Sequence, residues 1–296
     1  MAIDARALRN RLFPVVDCSL SAHDAALHAL SLGLGVDPVD AQTRLLVLPD
    51  ACGGPRVLPT QLATLGHPGP WMRDPGSGID GRRVVLAEFR LQVHHLPALG
   101  VPLHVHNRIT RVWDLGRGRG ARLVVERRIH EPRGRLMACM QQVLACLGDG
   151  GFSEIQPGAA VDDPLDELPV APPGAPDVRD LRPTRPDSAL LFRLLGDLNP
   201  IHVDPQAARV AGFAGPILHG VATLGLACWS VLQACARGDP RRLRSLAARF
   251  AAPVYPGDVL EIWLWPQPDR VRFEVRVQGR DLPVLRRGVA ELAPPD

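Results

Sequence analysis

ILHGVATLGLACWSVLQAC, from Ile217 to Cys235, is the most apolar segment of the chain. Polar residues such as Thr223, Ser230 and Gln233 interrupt it, which is typical of a buried helix and not of a membrane span. Apolar side chains nevertheless fall on nearly every face of this helix, so it needs a cover all round. A curved sheet wrapped around the helix would provide that cover.

Strand-like runs occur in two sets of four, one before this helix in the sequence and one after it. The clearest is Arg270–Val277, where Val271, Phe273, Val275 and Val277 alternate with charged residues. One face of this strand is therefore expected to be buried and the other exposed to solvent. The first set comprises Val84–Val93, Leu103–Leu115, Ala121–His130 and Leu136–Leu147, after a helical pattern around Ala25–Leu32. The second set comprises Arg244–Phe250, Val259–Trp265, Val271–Val277 and Val284–Leu292, after helical segments between Asp204 and Cys235.

This repeated order of helix and strands predicts an α+β protein with a double hotdog fold. Each half is expected to wrap an antiparallel sheet around a central helix, and the two sheets are expected to join into one continuous sheet. A segment rich in Pro, Asp and Ala separates the halves, and its composition disfavours helix and sheet. The predicted division is therefore an N-terminal hotdog over 1–156, a Pro-rich linker over 157–186 and a C-terminal catalytic hotdog over 187–296.

Composition excludes several classes of function. The 296 residues carry a net charge of +3, and the 34 basic residues are dispersed, so we expect no nucleic-acid partner. All of the basic residues are Arg, and the absence of Lys excludes Schiff-base and P-loop chemistry. The six cysteines form no CxxC pair, and the N-terminus shows no signal peptide or anchor, so we expect a cytoplasmic protein without a membrane partner.

Two loops carry the chemical information. The first reads GDLNPIHVD from Gly196 to Asp204, and the second reads GFAGPILHG from Gly212 to Gly220, where the apolar helix begins. In order and spacing they resemble the motif of the MaoC-like dehydratases, the hydratase 2 family. Similar elements occur elsewhere along most of the chain, at Leu58-Pro59-Thr60, Gly150-Gly151-Phe152 and Phe250–Gly257.

Adding water to a double bond conjugated to a thioester requires a base, an acid and donors for the enolate oxygen. Asp197 and His202 lie five residues apart across a turn and can converge on one water, and the resemblance implies that both activate it. Their individual roles stay open at this point. Asn199 is expected to hold the loop through bonds to the backbone. Gly220 is the candidate oxyanion donor, because its N–H would lie at the positive end of the buried helix.

Substrate contacts are expected from Phe192, Gly196, Pro216 and His219. For His219 a structural role, orienting the loop, is the favoured alternative. Many family members have Tyr and Ser where this chain has Phe192 and Leu195, so two hydroxyl groups are missing. The first half has no equivalent of the GDxNPxH motif, which fits a half that shapes an acyl tunnel.

Two further clusters have competing interpretations. His104 and His106 share one face of a strand and suggest either a metal site or, more simply, a wet face. The run Arg241-Arg242-Leu243-Arg244 suggests either a contact to the phosphates of CoA or a solvated edge.

The resemblance implies reversible hydration of a trans-2-enoyl-CoA to the (R)-3-hydroxyacyl-CoA, without a cofactor or metal and with acyl-CoA as the partner of the site. A homodimer is expected. The alternative within enzymes is a dehydratase acting on 3-hydroxyacyl or polyketide intermediates held by an acyl carrier protein. The alternative of another class is a non-catalytic, thioester-binding subunit of a heteromeric hydratase.

Overall fold

A computed structural model describes residues 2–37, 39–48, 55–155, 162–280 and 282–294. The α-helices in these ranges are α1 (Ala5–Arg9), α2 (Ala22–Ser31), α3 (Ala41–Arg44), α4 (Phe152–Ile155), α5 (Ser188–Arg193), α6 (Pro205–Val210) and α7 (Gly220–Ala236). The strands are β1 (Val16–Ser19), β2 (Val84–Val93), β3 (Pro102–Asp114), β4 (Ala121–His130), β5 (Leu136–Cys146), β6 (Val178–Pro183), β7 (Leu243–Phe250), β8 (Val259–Pro266), β9 (Arg270–Val277) and β10 (Pro283–Leu292). Short 3-10 turns include Pro59–Thr64, Trp71–Arg73 and Pro200–His202.

The strands of the described part of the chain form one antiparallel sheet in the order β1-β3-β4-β5-β2-β7-β10-β9-β8-β6. The first five strands of the sequence occupy one side of this order and the last five the other. The two sets meet where β2 pairs with β7, in a register that places Glu88 opposite Arg249 and Gln92 opposite Ser245. The predicted double hotdog with a continuous sheet is confirmed.

The sheet wraps around α7, which contacts strands β6 to β10, while α2 packs against α5. Helix α7 buries twelve of its residues, from Ala222 to Ala236, so the cover predicted from its apolar faces is present. Helix α2 begins with a capping box, in which Ser21 and Asp24 each accept a backbone N–H of the other. Buried side chains of both helices belong to one apolar cluster with strands of both halves, so the halves share a core.

The eight strands predicted from the sequence are all present, whereas two short edge strands were not predicted. Strand β6 lies inside the segment interpreted as a linker and pairs with β8 from Val178 opposite Leu264 to Pro183 opposite Val259. The prediction that residues 157–186 form no sheet is therefore wrong for this part. Its residues alternate between half-buried and exposed, a pattern too weak to predict a strand. Residues 156–161, at the predicted boundary, lie outside the described residues, and the division into domains stays a prediction.

Candidate active site

The loop from Gly196 to Asp204 folds through two successive side-chain turns. Asp197 Oδ1 accepts the N–H of Asn199 at 3.1 Å, and Asn199 Oδ1 accepts the N–H of Ile201 at 3.4 Å. Asn199 thereby caps the 3-10 turn that begins at Pro200, which the fixed φ of proline favours. Asp204 then caps α6 by accepting the N–H of Gln206 at 2.8 Å. This sequence of turns brings Asp197 and His202 to the same side of the loop.

Asp197 Oδ2 lies 3.9 Å from His202 Nε2, close enough for one water molecule to contact both. His202 is buried, while the Asp197 side chain is 43% exposed, toward the cleft described below. The Nδ1 atom of His202 lies 2.8 Å from the carbonyl oxygen of Ile217. A carbonyl oxygen only accepts, so Nδ1 carries the hydrogen and the lone pair of Nε2 faces Asp197.

His219 contacts both the ring of His202 and the backbone of Asp197. Its ring stacks on the ring of His202, with centroids 3.6 Å apart and planes inclined by 22°, and Phe192 packs against it at 4.7 Å. His219 Nε2–H donates to the carbonyl oxygen of Asp197 at 3.3 Å. This bond and this stacking hold both ends of the loop at the start of α7.

The environment sets the protonation state of each group. Burial lowers the pKa of His202 below its ordinary value, although Asp197 opposes the change. Burial also lowers the pKa of His219, to about 3. Burial by itself would raise the pKa of the Asp197 carboxyl, but His202, His219 and the Asn199 N–H together hold it below its usual range. Near neutral pH the site therefore holds an ionised carboxylate and neutral imidazoles.

A cavity of about 580 Å³ opens over this pair, a volume within the range of ligand pockets. The C-terminal half lines it with the motif loop, with the start of α7 and with residues 250–254. The N-terminal half contributes mainly apolar side chains: Trp71, Met72, Val84, Val85, Leu86, Val125 and Leu144. A long apolar wall thus faces the acid/base pair across the cavity.

Gly220 is the first residue of α7 and lines the same cavity. Among the described residues none accepts its N–H, so this donor points out of the helix end, where the helix dipole favours negative charge. A Cβ built on Gly220 would lie 2.7 Å from Phe250 Cε1. The ring of Phe250 on β7 therefore disfavours a larger side chain at this position, in addition to any need for room for a ligand.

In the described part of the chain, Asp197, His202 and His219 form the single group of potential metal ligands close to one another. Their arrangement does not suit an ion. The two imidazoles are stacked, so their in-plane lone pairs cannot converge on one point, and His202 Nδ1 and His219 Nε2 already donate to carbonyl oxygens.

The structure brings most of the predicted site residues together. Gly196 and Asn199 line the large cavity beside Asp197, as do His219 and Gly220. Two predicted substrate contacts lie elsewhere. Phe192 is 2% exposed and packs under His219, bordering only a smaller cavity described below, and Pro216 lines neither cavity.

Three polar residues near the site were not predicted: His67 and Gln142, which line the large cavity, and Arg127 behind them. A signal for Arg127 existed in the sequence. It alternates with Val125 and Ile129 in β4, which places it on the buried face of the strand. None of the three belongs to a recognisable motif.

The other two clusters lie away from the cavity. His104 Nδ1 lies 2.6 Å from Asp17 Oδ1, and His106 is exposed, as a wet strand face requires. Arg241 pairs with Asp239, and Arg242 donates to the carbonyl oxygens of Cys235 and Ala293. Neither arginine lines the cavity.

No helix among the described residues combines the length and apolarity needed to cross a membrane. The family model of the MaoC like domain matches residues 169–284. Among solved structures, full-length peroxisomal multifunctional enzyme type 2 of Drosophila melanogaster superposes with a TM-score of 0.78 at 27% identity, over 94% of this chain and 48% of that one. A MaoC-like dehydratase of Phytophthora capsici superposes with a TM-score of 0.80 at 21% identity, over 98% and 99% of the two chains, and shows the likeness in fold.

Curated relatives match nearly the whole chain. Enoyl-CoA hydratase ChsH3 of Mycobacterium tuberculosis is 34% identical over 299 residues, which cover 99% of this chain and 100% of that one. The peroxisomal enoyl-CoA hydratase 2 of Arabidopsis thaliana is 31% identical over 281 residues, 92% and 90% of the two chains. With both motif loops in place around one cavity, the chain belongs to the family of MaoC-like dehydratases and enoyl-CoA hydratases 2.

Proposed function

We propose that the protein catalyses the reversible hydration of a trans-2-enoyl-CoA to the (R)-3-hydroxyacyl-CoA. The observation that carries the proposal is the Asp197–His202 pair, 3.9 Å apart, facing a cavity that also exposes the Gly220 N–H. The names of the relatives, enoyl-CoA hydratase and enoyl-CoA hydratase 2, support the substrate class. The stereochemistry is carried over from the family.

The protonation states suggest how the two groups divide the work. Both are proton acceptors at rest, because Asp197 is ionised and His202 Nε2 is unprotonated. The acid that protonates C2 must therefore be the group that has just taken the proton from water. We assign that proton to His202, because the resulting imidazolium would lie beside the Asp197 carboxylate and the pair would attract.

In the hydration direction the water oxygen bonds to C3 while His202 Nε2 takes one of its protons. The electron pair of the C2–C3 double bond shifts toward the thioester, whose oxygen gains negative charge and accepts the Gly220 N–H. The imidazolium then returns its proton to C2. One water is consumed, one C–O and one C–H bond form, and the enzyme recovers its starting state.

The apolar lining that the N-terminal half contributes to the cavity supports a long acyl group. The thioester must lie near Gly220, so the chain beyond C3 would extend along Trp71, Leu86 and Leu144 of the N-terminal half. The half without the motif would then act as the acyl site. The same groups serve dehydration of a 3-hydroxyacyl thioester, and a relative named 3-hydroxyacyl-thioester dehydratase Y is 39% identical over 189 residues.

The test is the loss of enoyl-thioester absorbance with purified protein, crotonyl-CoA and a long-chain 2-enoyl-CoA, followed by chiral analysis of the product. Asp197→Asn and His202→Ala should each lower the rate at least ~100-fold, as expected for a positioned acid/base group. Asp204→Asn is the matched control, because this carboxylate of the same loop only caps α6. Unchanged turnover in both site variants, or no turnover in the parent protein, would refute the assignment.

We further propose a homodimer in a reducing compartment such as the cytoplasm. Four leucine and valine side chains near the motif loop are more than half exposed: Leu190, Leu194, Leu198 and Val210. Contact with a second copy of the chain would cover these side chains. The five cysteines in the described ranges are free thiols. Light scattering on the purified protein measures the oligomeric state.

A further inference from the structure

A second, smaller cavity of about 50 Å³ lies behind Asp197. It shares His67, Gln142, Asp197 and Val221 with the large cavity, and its other lining residues are Ala63, Thr64 and Phe192. The volume is sufficient for one water molecule or a little more, and too small for an acyl chain. Its polar lining comes from both halves of the protein.

The buried Arg127 fixes the orientation of Gln142 at this cavity. Arg127 Nη2 donates to Gln142 Oε1 at 3.3 Å, and a guanidinium cannot accept, so the amide oxygen must face it. The amide nitrogen of Gln142 is left for the cavities that the side chain lines. Arg127 Nη1 also donates to the carbonyl oxygens of Ala63 and Leu65, both at 2.8 Å, and so holds the segment that leads to His67.

His67 presents a second donor. Its Nδ1 accepts the N–H of Gly69 at 3.2 Å, and burial lowers its pKa, so the ring is neutral and Nε2 carries the hydrogen. Gln142 and the partly exposed His67 thus bring two donors to the lining of the small cavity, and Asp197 brings a carboxylate acceptor. One water can satisfy all three by accepting two hydrogen bonds and donating one.

Arg127 adds a charge to this arrangement. It is fully buried, and its donors go to neutral oxygens of Asn107, Gln142, Ala63 and Leu65, with no carboxylate within ion-pair distance in the described ranges. A buried cation without a direct partner is costly unless a negative charge lies nearby. Asp197 is the carboxylate that raises its pKa, against the larger effect of burial.

We propose that this small cavity is a binding site for the water that the reaction consumes or releases, separate from the acyl cavity. The proposal rests on the hydratase function above. Water held here has both lone pairs engaged by Gln142 and His67, so it is not the attacking species. It becomes nucleophilic on moving past Asp197 to His202 Nε2, where its oxygen is free to reach C3. In the reverse direction the departing water takes the vacated place, and the enoyl-CoA is then released through the large cavity.

Two variants test the site without touching the acid/base pair. Gln142→Met keeps the length of the side chain but removes the donor, and Ala63→Val fills the small cavity, which Ala63 lines without lining the large one. Each should lower kcat roughly tenfold, the effect of about one lost hydrogen bond, and leave KM for the enoyl-CoA within about twofold. Gln141→Met is the matched control, because Gln141 points to the other face of β5 and lines neither cavity.

A high-resolution crystal structure of the parent protein supplies a readout that does not depend on turnover. We expect ordered water density within hydrogen-bond distance of Gln142 and His67, and its loss in Gln142→Met. An empty small cavity in the parent crystal, or kcat in Gln142→Met equal to that in Gln141→Met, would overturn the proposal. If the parent protein shows the water but does not hydrate enoyl-CoA, the hydratase function fails and the water site stands.

Discussion

Replacing Gly220 by alanine tests whether the start of α7 is the oxyanion site. The added Cβ would lie 2.7, 3.1 and 3.3 Å from Cε1, Cδ1 and Cζ of Phe250, all shorter than ordinary van der Waals contact. Strand β7 is tied to β10 by the pairing of Phe250 with Leu285, so the strand backbone cannot simply withdraw. The helix end or the ring must move by about 0.7 Å to restore contact at about 3.4 Å.

Where the helix end takes up this displacement, the Gly220 N–H moves away from the thioester oxygen. A misplacement of about 1 Å costs roughly 100-fold in rate, and loss of one oxyanion donor costs about 3–4 kcal/mol. We therefore expect kcat of Gly220→Ala to fall about 100-fold while the protein stays folded, since alanine favours a helix more than glycine does. The assay is steady-state hydration of crotonyl-CoA, with the melting temperature as the check on folding.

A double-mutant cycle separates the steric cause from other effects. Phe250→Val removes the three ring atoms and keeps a residue suited to a strand. If the contact with Phe250 displaces the donor, the double variant should recover at least tenfold in kcat over Gly220→Ala, a coupling of about 1.4 kcal/mol. A double variant no faster than Gly220→Ala, with both proteins folded, would refute this reasoning.

Three further outcomes follow from the same structure. Burial lowers the pKa of His28 and His219 to about 3, so below pH about 6.5 the unfolded chain binds more protons than the folded protein. The free energy of unfolding should therefore fall on acidification down to pH about 3, by up to ~1.4 kcal/mol per pH unit for each histidine. Urea unfolding between pH 7 and pH 5 should give a shallower dependence for His28→Gln, and parallel curves would contradict this. His202 must be neutral to act, and burial lowers its pKa, so kcat/KM for hydration should stay constant above pH about 6.5 and decline only at lower pH. A midpoint of this decline above the ordinary pKa of histidine would argue against His202 as the base. Leu86→Trp should reduce kcat/KM for a long-chain 2-enoyl-CoA by about tenfold and leave crotonyl-CoA nearly unaffected, because the larger side chain narrows the apolar wall; equal losses for both substrates would place the acyl chain elsewhere.

The sequence predicts the fold well where a residue pattern has one physical solution. The apolar helix from Ile217 to Cys235 requires a cover, and alternation such as that of Arg270–Val277 determines which strand face provides it. The edge strands β1 and β6 were missed because each has a single neighbour in the sheet and buries little. Without strong alternation, only the pairing partner distinguishes such a segment from a loop.

The site shows the same division between local and non-local information. The meeting of Asp197 and His202 depends on turns within one short loop, so the motif predicts it. The positions of Pro216 and Phe192 relative to the large cavity depend on which way the second loop and α5 pack, and neither residue lines that cavity. The role of Gly220 was predicted from the helix end, but the reason for glycine there is Phe250, which lies thirty residues later.

The half of the chain without the motif contributes more to the site than an apolar wall. His67 and Gln142 come from it and line the small cavity together with Asp197, and Arg127 of the same half donates to Gln142. A carboxylate that must stay ionised in an apolar cavity needs compensating donors and charge, which a single hotdog with one short loop supplies on one side only. In this chain the second hotdog therefore bears on the reactivity of Asp197 as well as on acyl binding. Arg127→Met would test this directly: we expect the pKa of the Asp197 carboxyl, followed by NMR titration, to rise, because it loses a stabilising positive charge, while Arg127→Lys should retain most of the wild-type titration curve. Coincident titration curves in all three proteins would show that the N-terminal half only shapes the cavity.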